Sequence, residues 1–220
     1  MTNFKLVLFL LLIMVSSAWS FEKGSGSEFV MDSQGQKVNL NIYITDVSKH
    51  NMSVEFHFGT GGLMSMNMYQ QFEMSLKGSS PVKVEKGYVL TAGSSEPEIM
   101  KEYMFHQNRG VQINDFLFTS ASEIDGSFKG DETVEIPAGS IIAKHYQKSA
   151  NGQTVDFWIS DQVKPIGLVK LVSKSDKEKF NNYTIELASL LQNVAAKIDP
   201  KKSVPMSKQT EEMLRDDRKK

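Results

Sequence analysis

The side chains here with the most distinctive chemistry are thioethers. Residues 64 to 76 read MSMNMYQQFEMSL, with four of the chain's twelve methionines inside thirteen positions. Met64, Met66 and Met68 stand at every second residue. Three thioethers on one side of an extended chain could hold a soft ion such as Cu(I). They could equally line an adaptable apolar cavity, because methionine has three rotatable bonds and a polarizable sulfur. The third possibility is that they fill one face of a strand.

Other routes to chemistry are sparse. The chain has no cysteine and four histidines, so a thiol nucleophile is excluded. His50, His57, His106 and His145 show no ligand spacing, and there is no G-x-S-x-G elbow, H-E-x-x-H pair or phosphate-cradling glycine motif. His57 and His145 take the parity opposite to the apolar residues of their strands and read as members of a polar face. Asp156 and Asp161 flank W-I-S, and they read as sheet-face and loop residues. The expectation is a protein that is not an enzyme, with no catalytic residues, no metal centre and no cofactor.

The elements that position the methionines follow from counting. Even positions from 64 to 76 hold Met64, Met66, Met68, Gln70, Phe72, Met74 and Leu76, and the odd ones are polar apart from Tyr69. A helix would throw Met66 onto the polar side, so the pattern predicts a strand. Upstream, Val38, Leu40, Ile42 and Ile44 alternate, then Met52, Val54, Phe56 and Phe58, a hairpin around SKHN. After Gly78-Ser79-Ser80-Pro81, Val82, Val84, Tyr88 and Leu90 share a parity, and Gly87 marks a bend or bulge. Ser95 and Glu98 have capping-box spacing, predicting a helix over 96–108 whose stripe of Ile99, Met100, Tyr103 and Met104 covers the sheet. IIAKHYQK, Asn151-Gly152 and TVDFWIS form a second hairpin, with Val155, Phe157 and Ile159 on one face. GLVKLVSK and YTIELASLL complete the strands.

At the ends, MTNFKLVLFLLLIMVSSAWS has a short basic start, a ten-residue apolar core and small residues before Phe21. This reads as a secretory signal peptide over residues 1–20. The run is well short of the roughly 20 residues that cross a bilayer, so the protein is expected not to span a membrane and to be periplasmic or secreted. Residues 21–28 read as a flexible lead-in, 29–199 as a single mainly-β domain and 200–220 as a charged, disordered tail. Without Lys5, the 25 basic residues become 24 against 26 acidic. This balance and the absence of a basic stripe exclude nucleic acid as a partner.

The segment IPAGSIIAKHYQKSANGQTVDFWISDQVKPIGLVKLVSK, with its P-A-G opening, D-x-W-I-S ending and G-L-V-K, resembles the late strands of exported bacterial half-barrel proteins. These are of the outer-membrane lipoprotein carrier type of the Lol pathway and related periplasmic families. The resemblance covers Ile136 to Lys174. It implies a long curved antiparallel sheet around an apolar concavity, a helix as plug or lid, and non-covalent binding of acyl chains. Carriers of that type place an arginine in the cavity; Arg109, the one arginine between the signal peptide and the tail, falls after the predicted helix.

The resulting expectation is an α+β, mainly antiparallel β protein with a half-barrel-like sheet and at least one covering helix. Its function is expected to be binding of a lipid or lipoprotein acyl chain on the face formed by Met64, Met66, Met68, Phe72, Met74, Leu76 and Phe157 with Met100 and Met104. A structural or protein-interaction module with a filled core, partnered by another envelope protein, is the alternative. Cu(I) binding by methionines ranks third.

Overall fold

The computed structural model describes residues 21–60, 67–76, 83–104, 127–150, 152–176 and 182–214. Met64, Met66, His106, Arg109 and the signal-peptide stretch lie outside them. The described chain is mainly antiparallel β, one long curved and unclosed sheet with a single C-terminal helix. Five strands form a first meander: β1 (Gly26–Ser33), β2 (Gln36–Val47), β3 (Asn51–Thr60), β4 (Asn67–Ser75) and β5 (Lys83–Leu90). After the two-residue β6 (Glu98–Ile99), a second meander comprises β7 (Ser127–Ile136), β8 (Gly139–Ala150), β9 (Gln153–Ile159), β10 (Leu168–Ser175) and β11 (Tyr183–Leu191). The chain closes with β12 (Val204–Pro205) and helix α1 (Lys208–Leu214). Across the sheet the order is β12-β6-β5-β4-β3-β2-β1-β11-β10-β9-β8-β7.

Alternation in sequence becomes one continuous apolar face. Leu40 lies opposite Phe58, Ile42 opposite Phe56 and Ile44 opposite Val54. Met52 meets Met74, and Val54 meets Phe72. Phe29 on β1 joins the two meanders, with Leu40 on one side and Leu187 on the other. The β1–β2 turn is a two-residue loop whose Gln34 and Gly35 both have positive φ, the geometry that matches strand twist.

Backbone proximity between β1 and β2 leaves no room at Gly26. A Cβ there would stand 2.3 Å from the Ile42 carbonyl oxygen and 2.5 Å from the Tyr43 Cβ. Gly26→Ala is therefore expected to destabilise the fold by about 1–3 kcal/mol, the usual penalty for overpacking. Urea unfolding checks it, and an unchanged midpoint contradicts the close approach.

Four sequence expectations need correction. First, Tyr88 and Leu90 do not share a face with Val84. Glu73 pairs with Lys86 and Met74 with Val84, so Glu85 is an extra residue that reverses the parity beyond it. The bulge expected near Gly87 exists, two residues earlier.

Second, the helix over 96–108 is not formed in its described part. Glu98 and Ile99 pair with Val89 and Tyr88, the Met100 N–H donates to the Gly87 carbonyl at 2.8 Å, and only a 3-10 turn, Glu102–Met104, follows. The free edge of β5 offers main-chain partners that capping-box spacing cannot outweigh. Among the described residues the helix is α1, whose Leu214 packs against the core.

Third, residues 21–25 are docked. The Gly24 N–H donates to the Ile44 carbonyl and the Val194 N–H to the Gly24 carbonyl, while Phe21 packs on the core. Fourth, residues 200–214 are ordered. Asp199 caps a 3-10 turn at Pro200–Lys202, β12 runs parallel to β6, and α1 follows. Low apolar content suggested disorder, but this stretch is held by main-chain bonds and a few well-placed polar groups.

Candidate functional site

The apolar face assembles largely as its spacing implies. Phe72, Met74, Met100 and Phe157 are buried in one core, and Met68, Leu76 and Met104 pack at its margin, half-buried. Phe56 and Phe72 meet edge to face at 5.6 Å, and Tyr146 stacks on Phe157 at 5.6 Å. At the centre of this face Met74 and Phe157 are each 1 % exposed, Phe72 6 % and Met100 9 %. Of the three thioethers considered for Cu(I), Met68 alone is described, and the Gln70 amide lies 3.9 Å from its sulfur. No group of three His, Asp or Glu among the described residues is arranged to hold a metal.

The opposite face of the first meander is polar and also buried. Tyr43 lies across from Glu55, and Glu55 across from Gln71. Glu55 is fully buried. Its carboxylate accepts the Tyr43 hydroxyl, the Lys197 N–H at 3.0 Å and the Ile198 N–H at 3.0 Å. Burial, reinforced by Glu55, raises the Tyr43 phenol far above its ordinary value and keeps it a donor. The C-terminal segment is thereby strapped over the sheet, with Ile198 2 % exposed beneath it. Beside this row, burial and the Glu73 carboxylate push Tyr88 up to about 12.

In sequence, Glu55 is one of several polar residues on alternate positions and looks solvated. Tyr43 comes opposite it through a register shift between Ile44 and Asp46, which no residue in the sequence marks.

A second polar cluster lies on the second meander. His145 on β8 stacks on Trp158 of β9 at 4.4 Å and 15°. Its Nδ1 is 2.8 Å from Glu132 Oε1 and its Nε2 is 2.9 Å from Asp156 Oδ1. The Trp158 indole donates to Glu132 Oε2 at 2.8 Å, and the Gln147 amide donates to Asp156 at 2.9 Å. The bond from Trp158, then that from His145, holds Glu132 below the usual carboxylate range.

Asp156 thus serves His145 and is not paired with Asp161. Asp161 instead lines a separate half-open depression of about 220 Å³ with Asp131 and Lys144. His57, as expected, lies on a polar face, stacked on Tyr69 at 4.3 Å with Nε2 3.0 Å from Asn67. His50 is exposed in its turn.

The two carboxylates approach His145 from opposite edges of the ring, so they do not converge on a point where a metal or reacting atom could sit. Chemically, the cluster can hold and release a proton.

No protein-family model matches the chain, and no curated protein sequence matches it. Among solved structures, the chain is similar to a hypothetical protein of Chlamydia trachomatis at 9 % identity, with a TM-score of 0.44 over 84 % of this chain and 94 % of that one.

Proposed function

We propose that the protein is an exported, non-catalytic structural or protein-interaction module with a filled core. The supporting observation is the burial of the apolar face: Met74 and Phe157, at its centre, are each 1 % exposed. On this reading the methionines serve packing, where their flexibility fits a curved sheet, and the partner is another envelope protein.

Holding a lipid or lipoprotein acyl chain is the second reading. It is favoured by the half-buried margin of Met68, Leu76 and Met104 and by the unclosed, curved sheet. A chain could enter there only by displacing what covers the face.

Native mass spectrometry of protein purified without detergent, followed by addition of fatty acyl probes, separates the two. The expected result is a clean unliganded mass with no uptake. Stoichiometric acyl adducts overturn the filled-core reading in favour of the second.

A further inference from the structure

His145 sits between two carboxylates, and the proton count of that arrangement is constrained. Ionised carboxylate oxygens only accept hydrogen bonds, whereas a neutral imidazole offers one N–H and one lone pair. Both contacts, 2.8 Å to Glu132 and 2.9 Å to Asp156, are hydrogen bonds only when His145 carries both protons. We propose that Glu132, His145 and Asp156, with Trp158, form a pH-operated clasp that fastens edge strand β7 to β8 and β9.

The position makes the clasp consequential. Among the described strands β7 ends the sheet and pairs along one side, with β8. Glu132 is its single contribution to the cluster, and through it β7 is tied beyond its ladder neighbour to Trp158, one strand further in. The ladder itself is interrupted near this point, since the pairing slips between Phe128 and Gly130, and a slipped edge depends more on its side-chain ties.

Among the described residues, the charged groups around the ring are few. β7 contributes Glu132, with Asp131 one residue earlier opposite Lys144. β8 contributes the neutral Gln147 and β9 contributes Asp156. On β10 Lys170 pairs in register with Trp158, and it is itself held by Glu186 of β11 at 2.7 Å. Among the described residues the near field of the imidazole is thus two carboxylates, and the adjacent cation is held by its own partner.

The sign follows on both sides. As pH rises and the imidazole loses a proton, one of the two contacts becomes a lone pair facing an anion, and the tie to β7 or β9 is lost. As pH falls, Glu132 contributes until its lowered titration is reached, and protonation then removes its charge. The clasp is therefore closed in a window above the carboxylate range and below the release of the imidazole proton.

Trp158 reports the state directly, because an imidazolium quenches a stacked indole more than a neutral imidazole does. The chain's two tryptophans are Trp19 and Trp158, so the full chain carrying Trp19→Phe isolates the signal. Emission is expected to rise between pH 5 and 8, the interval where an imidazole changes charge. The step should vanish in His145→Gln. In Glu132→Gln it should move to lower pH, as expected when one of two anions is removed. Thermal midpoints give an independent reading: wild type should exceed His145→Gln at pH 5.5 and converge with it at pH 8. A flat wild-type profile, a step that survives His145→Gln, or a midpoint unmoved by both Glu132→Gln and Asp156→Asn overturns the clasp.

Discussion

Glu55→Ala is expected to lower the thermal midpoint by about 4–8 °C. Two buried donors, the Tyr43 hydroxyl and the Ile198 N–H, and the part-buried Lys197 N–H lose their acceptor together. Leaving a buried donor unsatisfied costs at least about 1 kcal/mol, and at this chain length 1 kcal/mol moves the midpoint by roughly 2–4 °C. Relief of the desolvation of a buried carboxylate opposes the loss. It does not win, because the Tyr43 hydroxyl and the Ile198 N–H remain buried.

Glu55→Gln keeps one carbonyl acceptor and should lose about 1 kcal/mol. The structural signature is local: in Glu55→Ala the segment 192–214 should become cleavable by protease under native conditions, well before the sheet. If that segment stays protected and the midpoint moves by less than about 2 °C, Glu55 does not hold the strap.

The second large effect is expected at Phe157. Truncation to alanine should cost about 3–5 kcal/mol, the range for a buried aromatic side chain in a packed core. Phe157 is 1 % exposed and stacked on Tyr146 at 5.6 Å, so both transfer energy and packing are lost. The same measurement bears on function. A phenylalanine lining an open hollow gains little from burial, and its truncation would cost well below about 2 kcal/mol. Urea unfolding of Phe157→Ala therefore tests the filled core by energy, independently of any ligand, and a small value would favour an acyl cavity.

Much of the apolar architecture was readable from period alone. Leu40, Ile42 and Ile44, then Met52, Val54 and Phe56, then Phe72 and Met74 alternate because each strand buries one side, and a shift of one residue would expose the whole set. The turn at Gly152, with φ of 80°, was readable for the same local reason. What escaped depends on distant partners. Nothing near Glu55 in sequence indicates that Lys197 and Ile198 will arrive to bond it. Nothing near Glu98 indicates that it will become strand by pairing with Val89, since its own neighbourhood favours a helix. His145 was placed on a polar face, yet Glu132 and Asp156 flank it only once β7, β8 and β9 lie side by side. Burial of polar residues is written in pairs of segments, and a single segment shows half of each pair.

The order of the sheet also bears on how it can be built. β1 has β2 on one side and β11 on the other, with Phe29 facing Leu40 early in the chain and Leu187 near its end. The first strand made is thus completed by almost the last, and each meander can form its hairpins before the seam between them exists. Such late, long-range closure raises contact order and places folding on the slow side of the range for single domains. Until β11 emerges, β1 keeps an unpaired edge that could template association with another chain. The hazard falls on nascent and truncated chains, whose aggregation should rise sharply when the sequence stops short of Tyr183.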